Sequence, residues 1–288
     1  MASTVVRERT AGFVQITRFT NSLYSGGYTL VGAFLSGGAS AALSEREGLA
    51  ALVVGLVVAY GFVINDVRDV AVDRIGKPQR PIPSGLVSQR EALIFALGLG
   101  LTALLVAAPL GWELLLFTLA TILITGGYSL WLKSTVLWGN ACMATLIAAI
   151  PLFGGLATDG ANGAVLAIAL LMWLFDFSHE ILKTTADWQG DGAAGLRTVA
   201  TVFGVGGAIR IFQLAASFFV LAALFPWLLG ITSWPYGLAV SICGILPTLW
   251  VIVALARRPD DATITFTLRV MRWMWITNLL PILLFRMP

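Results

Sequence analysis

Charged residues are scarce in this chain: Asp, Glu, Lys and Arg make up 11% of its 288 residues. Soluble domains carry about 25%, so an ordinary soluble fold is excluded. The formal net charge of +3 says little about partners, because Lys and Arg in a membrane protein are placed by its topology. No basic patch interleaved with aromatic residues is present, and we expect no nucleic-acid partner.

The chain has few cysteines and no recognisable secretion signal. The two cysteines, Cys142 and Cys243, lie in apolar runs with no C-x-x-C pair and no neighbouring histidine, which argues against a metal or redox site at either. The segment from Met1 to Ala11 is polar and lacks an apolar core that ends at a cleavage site, so we expect no cleaved signal peptide.

Apolar sequence is abundant instead: 58% of the residues are hydrophobic and the mean hydropathy is +0.88. A spanning helix needs about 20 apolar residues, and several stretches meet or nearly meet that length. They lie near 12–38, 47–70, 89–109, 112–131, 135–157, 162–185, 204–230, 235–256 and 264–286. We therefore predict an all-α polytopic membrane protein of about nine transmembrane helices. Nothing marks a second domain, so one transmembrane domain over 1–288 is expected.

The cations predict the orientation of these helices. With the N-terminus in the cytoplasm, all but two of the 18 Lys and Arg residues fall on or nearest the cytoplasmic side, the exceptions being Arg46 and Arg286. Positively charged loops stay inside. The N-terminus and the face that carries both acidic clusters described below are therefore predicted to be cytoplasmic, in a bacterial or archaeal cell membrane.

The densest charge cluster lies in residues 65–85. If the second helix continues to Asp73, then Asp66, Asp69 and Asp73 are spaced i, i+3 and i+7 and share one face. Their mutual repulsion requires cations, and oxygen-rich sites of this kind suit Mg²⁺ held jointly with substrate phosphates. The alternative is that they are solvated residues at a membrane helix end. Three acids on one face, followed by a basic Pro/Gly loop, favour the metal site.

This string resembles the first aspartate-rich motif of the UbiA family of intramembrane prenyltransferases, Asn-Asp-x-x-Asp-x-x-x-Asp followed by Arg-Pro-x-Pro-Ser-Gly. The matching residues are Asn65, Asp66, Asp69, Asp73, Arg80, Pro81, Pro83, Ser84 and Gly85. The resemblance implies that the three aspartates are catalytic Mg²⁺ ligands. It also implies that Asn65 and Arg80 bind the diphosphate of a prenyl substrate, and we expect Lys77 of the same basic loop to bind it as well.

A second acidic cluster ends the sixth predicted helix. Its charged residues are spaced by 4, 3, 4 and 4, which is helical periodicity: Asp176, Glu180, Lys183, Asp187 and Asp191. A lipid-facing ladder would cost about 2.5–3.5 kcal/mol per charge near the bilayer centre, so this face is predicted to meet the bundle interior or water. The alternative is a salt-bridge ladder in which Lys183 pairs with Glu180 and Asp187.

This cluster extends the resemblance. Asp187-x-x-x-Asp191 is similar to the second aspartate-rich motif of the family. Glu180-Ile-Leu-Lys183, Gly190-Asp191 and Gly195-x-x-Thr198 resemble the digeranylgeranylglyceryl phosphate synthase branch. Many family members carry Tyr near the position of Lys183, so an aromatic acceptor is not implied.

Weaker matches to the family are Arg18-x-x-Asn21, with Phe19 in place of the usual proline, and Lys133. The resemblance implies that Asp187 and Asp191 are further catalytic metal ligands, that Lys183 is catalytic, and that Arg18, Asn21 and Lys133 bind diphosphate. We expect the cation Arg197 to bind diphosphate as well.

His179 is the only histidine and lies beside Glu180. It could be a general base. Neighbours on a helix are about 100° apart, however, and a lone histidine is more often structural, so we favour a structural role.

The predicted function is prenyl transfer from an isoprenoid diphosphate to an aromatic or lipid-like acceptor by Mg²⁺-assisted ionisation, with both clusters acting on one diphosphate. The resemblance also implies a central cavity that opens to lipid. A UbiA-type terpene cyclase, which needs no acceptor, is the main alternative. A transporter would be expected to place its binding sites near the bilayer midplane, whereas these acidic residues lie at helix ends. A non-catalytic scaffold would not need two clusters of potential metal ligands.

Overall fold

The computed structural model describes residues 2–158 and 160–285, and these contain helices and turns but no strand. Arg286, one of the two cations that the predicted topology places opposite the cytoplasmic side, lies outside the described residues, as does Asp159. The α-helices, in chain order, are α1 (Ala2–Ile16), α2 (Phe19–Gly37), α3 (Ala39–Ala42), α4 (Glu45–Arg68), α5 (Val70–Gly76), α6 (Gln89–Ala107), α7 (Trp112–Leu130), α8 (Trp138–Ala157), α9 (Gly163–Ala186), α10 (Trp188–Ala193), α11 (Val199–Leu228), α12 (Trp234–Val240), α13 (Leu246–Arg257), α14 (Asp261–Thr277) and α15 (Leu279–Leu284). A π-helical turn, Ser241–Ile245, joins α12 to α13.

Seven helical segments of the described chain are long and apolar enough to cross a membrane, which confirms the predicted all-α membrane fold. They are Glu45–Arg68, Gln89–Leu110, Trp112–Leu130, Trp138–Ala157, Gly163–Ala186, Val199–Leu228 and Trp234–Arg257. The other two predicted spans also correspond to helical regions, but neither is one continuous helix. The first breaks at Arg18, between α1 and α2, and the last at Asn278, between α14 and α15.

The chain forms two compact units. Unit 1 contains residues 1–132 and 150–160, and unit 2 contains 133–149 and 161–288, so that α8 passes from one to the other. The single domain over 1–288 stays a prediction.

In unit 1, α4 packs against α2, α6 and α7. Buried Val63 and Val67 of α4 share a core with Ala92 and Ala96 of α6. Ser88 begins α6 with a capping box, in which its side chain and that of Glu91 each bond the other's backbone N–H. This core fixes the end of α4, where the first acidic motif begins.

Two glycines let α2 and α8 approach each other closely in unit 1. A Cβ atom on Gly32 would lie 2.1 Å from the carbonyl oxygen of Pro151, and one on Gly154 would lie 1.9 Å from that of Thr29. Both obstacles are backbone atoms, which cannot rotate away. The helices can therefore keep this separation only without side chains at these positions.

Gly32→Ala is expected to destabilise the protein by about 1–3 kcal/mol or more, because the added methyl group overpacks the α2–α8 contact. Gly27→Ala is the matched control in the same helix, since a Cβ there meets no atom within 4 Å and alanine is the better helix former. Thermal unfolding of the detergent-solubilised variants measures the effect. Equal midpoints for the two variants would refute the close contact.

Unit 2 is organised around α9, which packs against α11 and α14. Phe175 of α9 makes edge contacts with Phe219 of α11 and Trp275 of α14, each with ring centroids 5.3 Å apart. Gly204, at φ 71° and ψ 165°, interrupts α11 near its start, where the sequence-predicted span begins. This packing holds the last turns of α9, which carry the second acidic cluster.

Candidate active site

The first acidic motif lies on a bend rather than on one straight helix. α4 ends at Arg68, Asp69 is at φ −85° and ψ 3°, and α5 begins at Val70. Backbone bonds from Asp69 N–H to the Asn65 carbonyl (2.9 Å) and from Asp73 N–H to the Asp69 carbonyl (2.8 Å) continue across it. The expected single face is therefore divided: Asp66 and Asp73 are buried, whereas Asp69 is half-buried.

Arg80 pairs with both buried aspartates. Its Nη1 donates to Asp73 Oδ2 at 2.7 Å and to Asp66 Oδ1 at 3.3 Å. The two aspartates are only 5% and 6% exposed, which excludes solvated interface residues as the explanation of this pair. Charged carboxylates can be buried where nearby cations compensate their charge. The basic loop provides such a cation in Arg80.

Arg18 provides a second cation to the same carboxylate. Its Nη2 donates to Asp66 Oδ1 at 2.9 Å, and its guanidinium carbon lies 4.4 Å from the ring centroid of Phe62. Its backbone is left-handed, at φ 46° and ψ 54°, which costs a non-glycine residue about 1–2 kcal/mol. The sequence match of Arg18 to the family is thus accompanied by a direct contact with the acidic motif.

Packing of its apolar residues holds the Pro/Gly loop that carries Arg80. Ile82 and Val87 are buried in the core of unit 1, and Val87 N–H donates to the Pro81 carbonyl at 3.0 Å. Gln89 Nε2 donates to the Val67 carbonyl on α4, also at 3.0 Å. The loop is therefore anchored to α4 and the core of unit 1 by the residues that follow Arg80.

The other predicted residues of unit 1 take no part in the ion pairs of Asp66 and Asp73. Asn65 Nδ2 donates to Asp69 Oδ2 at 3.0 Å, and its own Oδ1 is buried with no hydrogen-bond partner. Lys77 and Asn21 are exposed, and within the described part of the chain neither side chain forms an ion pair or hydrogen bond with the carboxylates.

The second cluster follows α9 to its end. Lys183 pairs with Glu180, as the salt-bridge alternative predicts. Asp187 ends the helix as an exposed residue, and Asp191 is half-buried in the short α10. No ion pair between Lys183 and Asp187 is seen in the described chain, so the ladder is shorter than that alternative requires.

The remaining unit 2 residues lie in connecting segments. Arg197 is exposed, and Lys133 is half-buried in a short 3-10 turn. Gly195 has φ 69°, a conformation that favours glycine, and the Thr198 side chain accepts from Thr201 N–H to begin α11. The Gly195-x-x-Thr198 spacing thus has a structural basis in the turn between α10 and α11.

Sequence reasoning missed one grouping. The structure brings Asp176, His179 and Glu180 together, with one potential ligand atom of each within 4.8 Å of the others. Their i, i+3, i+4 spacing is visible in the sequence, but His179 lies outside the longer acidic ladder, whose members are three or four positions apart.

Comparison with known proteins places these features in a wider group. The profile of the UbiA prenyltransferase family matches residues 27–279. The chain is 35% identical over 250 residues to a digeranylgeranylglyceryl phosphate synthase of Natronomonas pharaonis, covering 84% of this chain and 88% of the relative. It is 31% identical over 251 residues to the synthase of the same name from Thermococcus sibiricus, covering 87% and 88%.

Solved structures give the same result. One, from work on digeranylgeranylglyceryl phosphate synthase in membranes, aligns with a TM-score of 0.77 and 25% identity over 96% of this chain and 98% of that chain. A UbiA homologue from Archaeoglobus fulgidus bound to GPP and Mg²⁺ aligns with a TM-score of 0.70 and 19% identity over 94% and 99%, which is evidence for the fold alone. The structural similarity extends over nearly the whole chain.

Proposed function

The chain belongs to the UbiA prenyltransferase family, and from this premise we propose that it transfers a geranylgeranyl group from its diphosphate to a glyceryl phosphate lipid. Membrane-embedded prenyl transfer is the activity of the family. The observation that carries the proposal is the pair of buried aspartates compensated by Arg80 and Arg18. Such a cluster is costly to bury and provides both metal-ligand oxygens and phosphate-binding cations.

The residues present fit Mg²⁺. Asp66, Asp69 and Asp73 offer carboxylate oxygens, and Asn65 adds a buried amide oxygen without a hydrogen-bond partner; oxygens of this kind are what Mg²⁺ binds. We propose that these residues in unit 1, and Asp187 and Asp191 in unit 2, hold the metal. Bound Mg²⁺ supplies charge neutralisation of the diphosphate and stabilises the leaving pyrophosphate.

The cations of the chain orient and stabilise the diphosphate. Arg80 and Arg18 form a fork-shaped donor set suited to phosphate oxygens, and their present partners are the carboxylates that a metal would neutralise. Lys77 and Arg197 are exposed and free to approach an anion, and Asn21, Lys133 and Lys183 complete the proposed set. Positive charge at the leaving group lowers the barrier to ionisation.

The proposed reaction exchanges one C–O bond for another. The bond between the allylic carbon and the diphosphate breaks, and its electron pair leaves with pyrophosphate. The hydroxyl oxygen of the acceptor bonds to that carbon, and its proton passes to a pyrophosphate oxygen. Water must be excluded as a competing nucleophile; the central cavity implied by the resemblance would do so and stays a prediction.

The acceptor is proposed from the named relatives. A digeranylgeranylglyceryl phosphate is a glyceryl phosphate with two geranylgeranyl chains, so the acceptor for the second chain already carries the first. Glu180 and Lys183, which resemble that branch, form an ion pair at the end of α9. This assignment favours transfer over the cyclase alternative and places the enzyme in isoprenoid lipid biosynthesis.

Product analysis tests the proposal. Purified protein is incubated with Mg²⁺, geranylgeranyl diphosphate and geranylgeranylglyceryl phosphate, and the lipid extract is examined by mass spectrometry, with Asp69→Asn as the control. Digeranylgeranylglyceryl phosphate is expected, and only when the acceptor is present. A prenyl hydrocarbon formed without the acceptor would instead establish the cyclase.

We further propose that the N-terminus and the Arg80 loop face the cytoplasm, as the cation distribution predicts. In a variant with Cys142 and Cys243 replaced by Ala, a cysteine at exposed Ser84 should react with impermeant thiol reagents only from the cytoplasmic side. A cysteine at Leu43, which is 85% exposed in the turn before α4, should react only from the other side. Reversed labelling would refute the orientation, and labelling of both from one side would refute the span between them.

A further inference from the structure

Three side chains with metal-ligand atoms are gathered near the end of α9, apart from the aspartate-rich motifs. Asp176, His179 and Glu180 are 3%, 8% and 5% exposed. One ligand atom from each lies within 4.8 Å of the other two. The residues follow i, i+3, i+4 spacing, so they share one face of the helix.

Two of these side chains have polar atoms without hydrogen-bond partners. Asp176 Oδ2, His179 Nδ1 and His179 Nε2 are all buried, and none makes a hydrogen bond. His179 Nδ1 lies 3.5 Å from Asp176 Oδ1, too far for a well-formed bond. Buried polar atoms are nearly always satisfied, so three unsatisfied ligand atoms in one place require an explanation.

The side chains around Asp176 and His179 include several aromatic rings. The Phe175 ring lies parallel to the His179 ring at 6.4 Å and itself contacts Phe219 and Trp275. A charged carboxylate beside such aromatic packing is costly to leave uncompensated. A protonated His179 would compensate the charge of Asp176, but it would still leave Asp176 Oδ2 and the second ring nitrogen without partners.

We propose that Asp176, His179 and Glu180 bind a divalent transition-metal ion of the zinc class. One imidazole nitrogen with two carboxylate oxygens suits Zn²⁺, Co²⁺ or Mn²⁺, whereas Mg²⁺ takes oxygen ligands almost alone. Asp187 follows Glu180 by seven positions, about 10 Å along a helix, so this ion is distinct from the Mg²⁺ proposed at the second aspartate-rich motif. Glu180 also pairs with Lys183, so the ion fixes the helix end that carries Lys183.

Metal content of the whole protein tests this inference without any measurement of activity. The chain, with both cysteines replaced by Ala, is stripped with EDTA in detergent, loaded with Zn²⁺, dialysed and analysed by elemental mass spectrometry. About one Zn²⁺ per chain is expected, together with a higher thermal unfolding midpoint. Asp69→Asn combined with Asp187→Asn should keep this ion, which separates the inference from the proposed function.

His179→Gln and Asp176→Asn should each weaken Zn²⁺ binding at least tenfold and abolish the thermal shift. Asp176→Asn is isosteric, and it decides the matter if His179→Gln is not recovered folded. Zinc retained equally by wild type and Asp176→Asn would overturn the inference. So would zinc lost only in the Asp69→Asn, Asp187→Asn variant, because the ion would then belong to the aspartate-rich motifs, and so would a wild-type protein that holds no zinc.

Discussion

Chelation of divalent cations is expected to lower prenyl transfer by at least about a thousandfold, which corresponds to about 4 kcal/mol of lost transition-state stabilisation. The physical reason is electrostatic. Without a bound cation, the carboxylates of Asp66, Asp69 and Asp73 would repel the diphosphate, and Arg80 pairs with two of them. Initial rates in EDTA, measured against an untreated control, give the effect.

Restoration of activity identifies the ion responsible. Mg²⁺ or Mn²⁺ added to the stripped enzyme should recover the rate. If Mg²⁺ added as the single divalent ion restores the rate, the effect belongs to the aspartate-rich motifs. The group formed by Asp176, His179 and Glu180 is expected to prefer zinc-class ions. Full activity in EDTA would remove the metal from the mechanism.

The fold was largely predictable from the sequence, because an apolar stretch of spanning length leaves a membrane protein few alternatives to a helix. The breaks were not. Arg18 takes a left-handed conformation although no glycine or proline marks the position, and its contacts with Asp66 and Phe62 come from a distant part of the chain. The bend at Asp69 likewise interrupts the segment up to Asp73 in which the three aspartates would share one face if it were a single helix.

The site was predictable to a similar extent. Asp73 and Arg80 have opposite charges and are only seven positions apart in the sequence. An ion pair between them can therefore be expected from the sequence alone. The burial of Asp66 and Asp73 does not follow, because it depends on how α4, α6 and the loop pack. The unsatisfied atoms of Asp176 and His179 were hidden for the same reason: their spacing is legible in the sequence, but their lack of partners is a property of packing.

The second large effect concerns the two aspartate-rich motifs. Asp69→Asn and Asp187→Asn should each lower turnover by about a thousandfold, comparable with the loss of one transition-state-stabilising donor. Both substitutions are isosteric and remove a charge, and Asp187 is exposed, so its loss should not unfold the protein. If the motifs served separate events, their effects would multiply to about a millionfold.

We propose that both motifs act in the same step, the ionisation of one prenyl diphosphate. Groups that act as a unit are strongly non-additive, so a protein already lacking one motif loses little more when the other is removed. Asp260→Asn is the matched control, because Asp260 lies in neither motif. Asp260 caps α14 by accepting a hydrogen bond from Thr263 N–H, and asparagine can cap a helix equally well. Combined with Asp69→Asn, it should add almost nothing to the defect.

The decisive measurement is the initial rate of the Asp69→Asn, Asp187→Asn double variant at saturating prenyl diphosphate and Mg²⁺, compared with wild type and both single variants. The account predicts a defect within about tenfold of the larger single defect, as expected for groups that work as one unit. A defect equal to the product of the two single defects would contradict it, even if each aspartate proved essential.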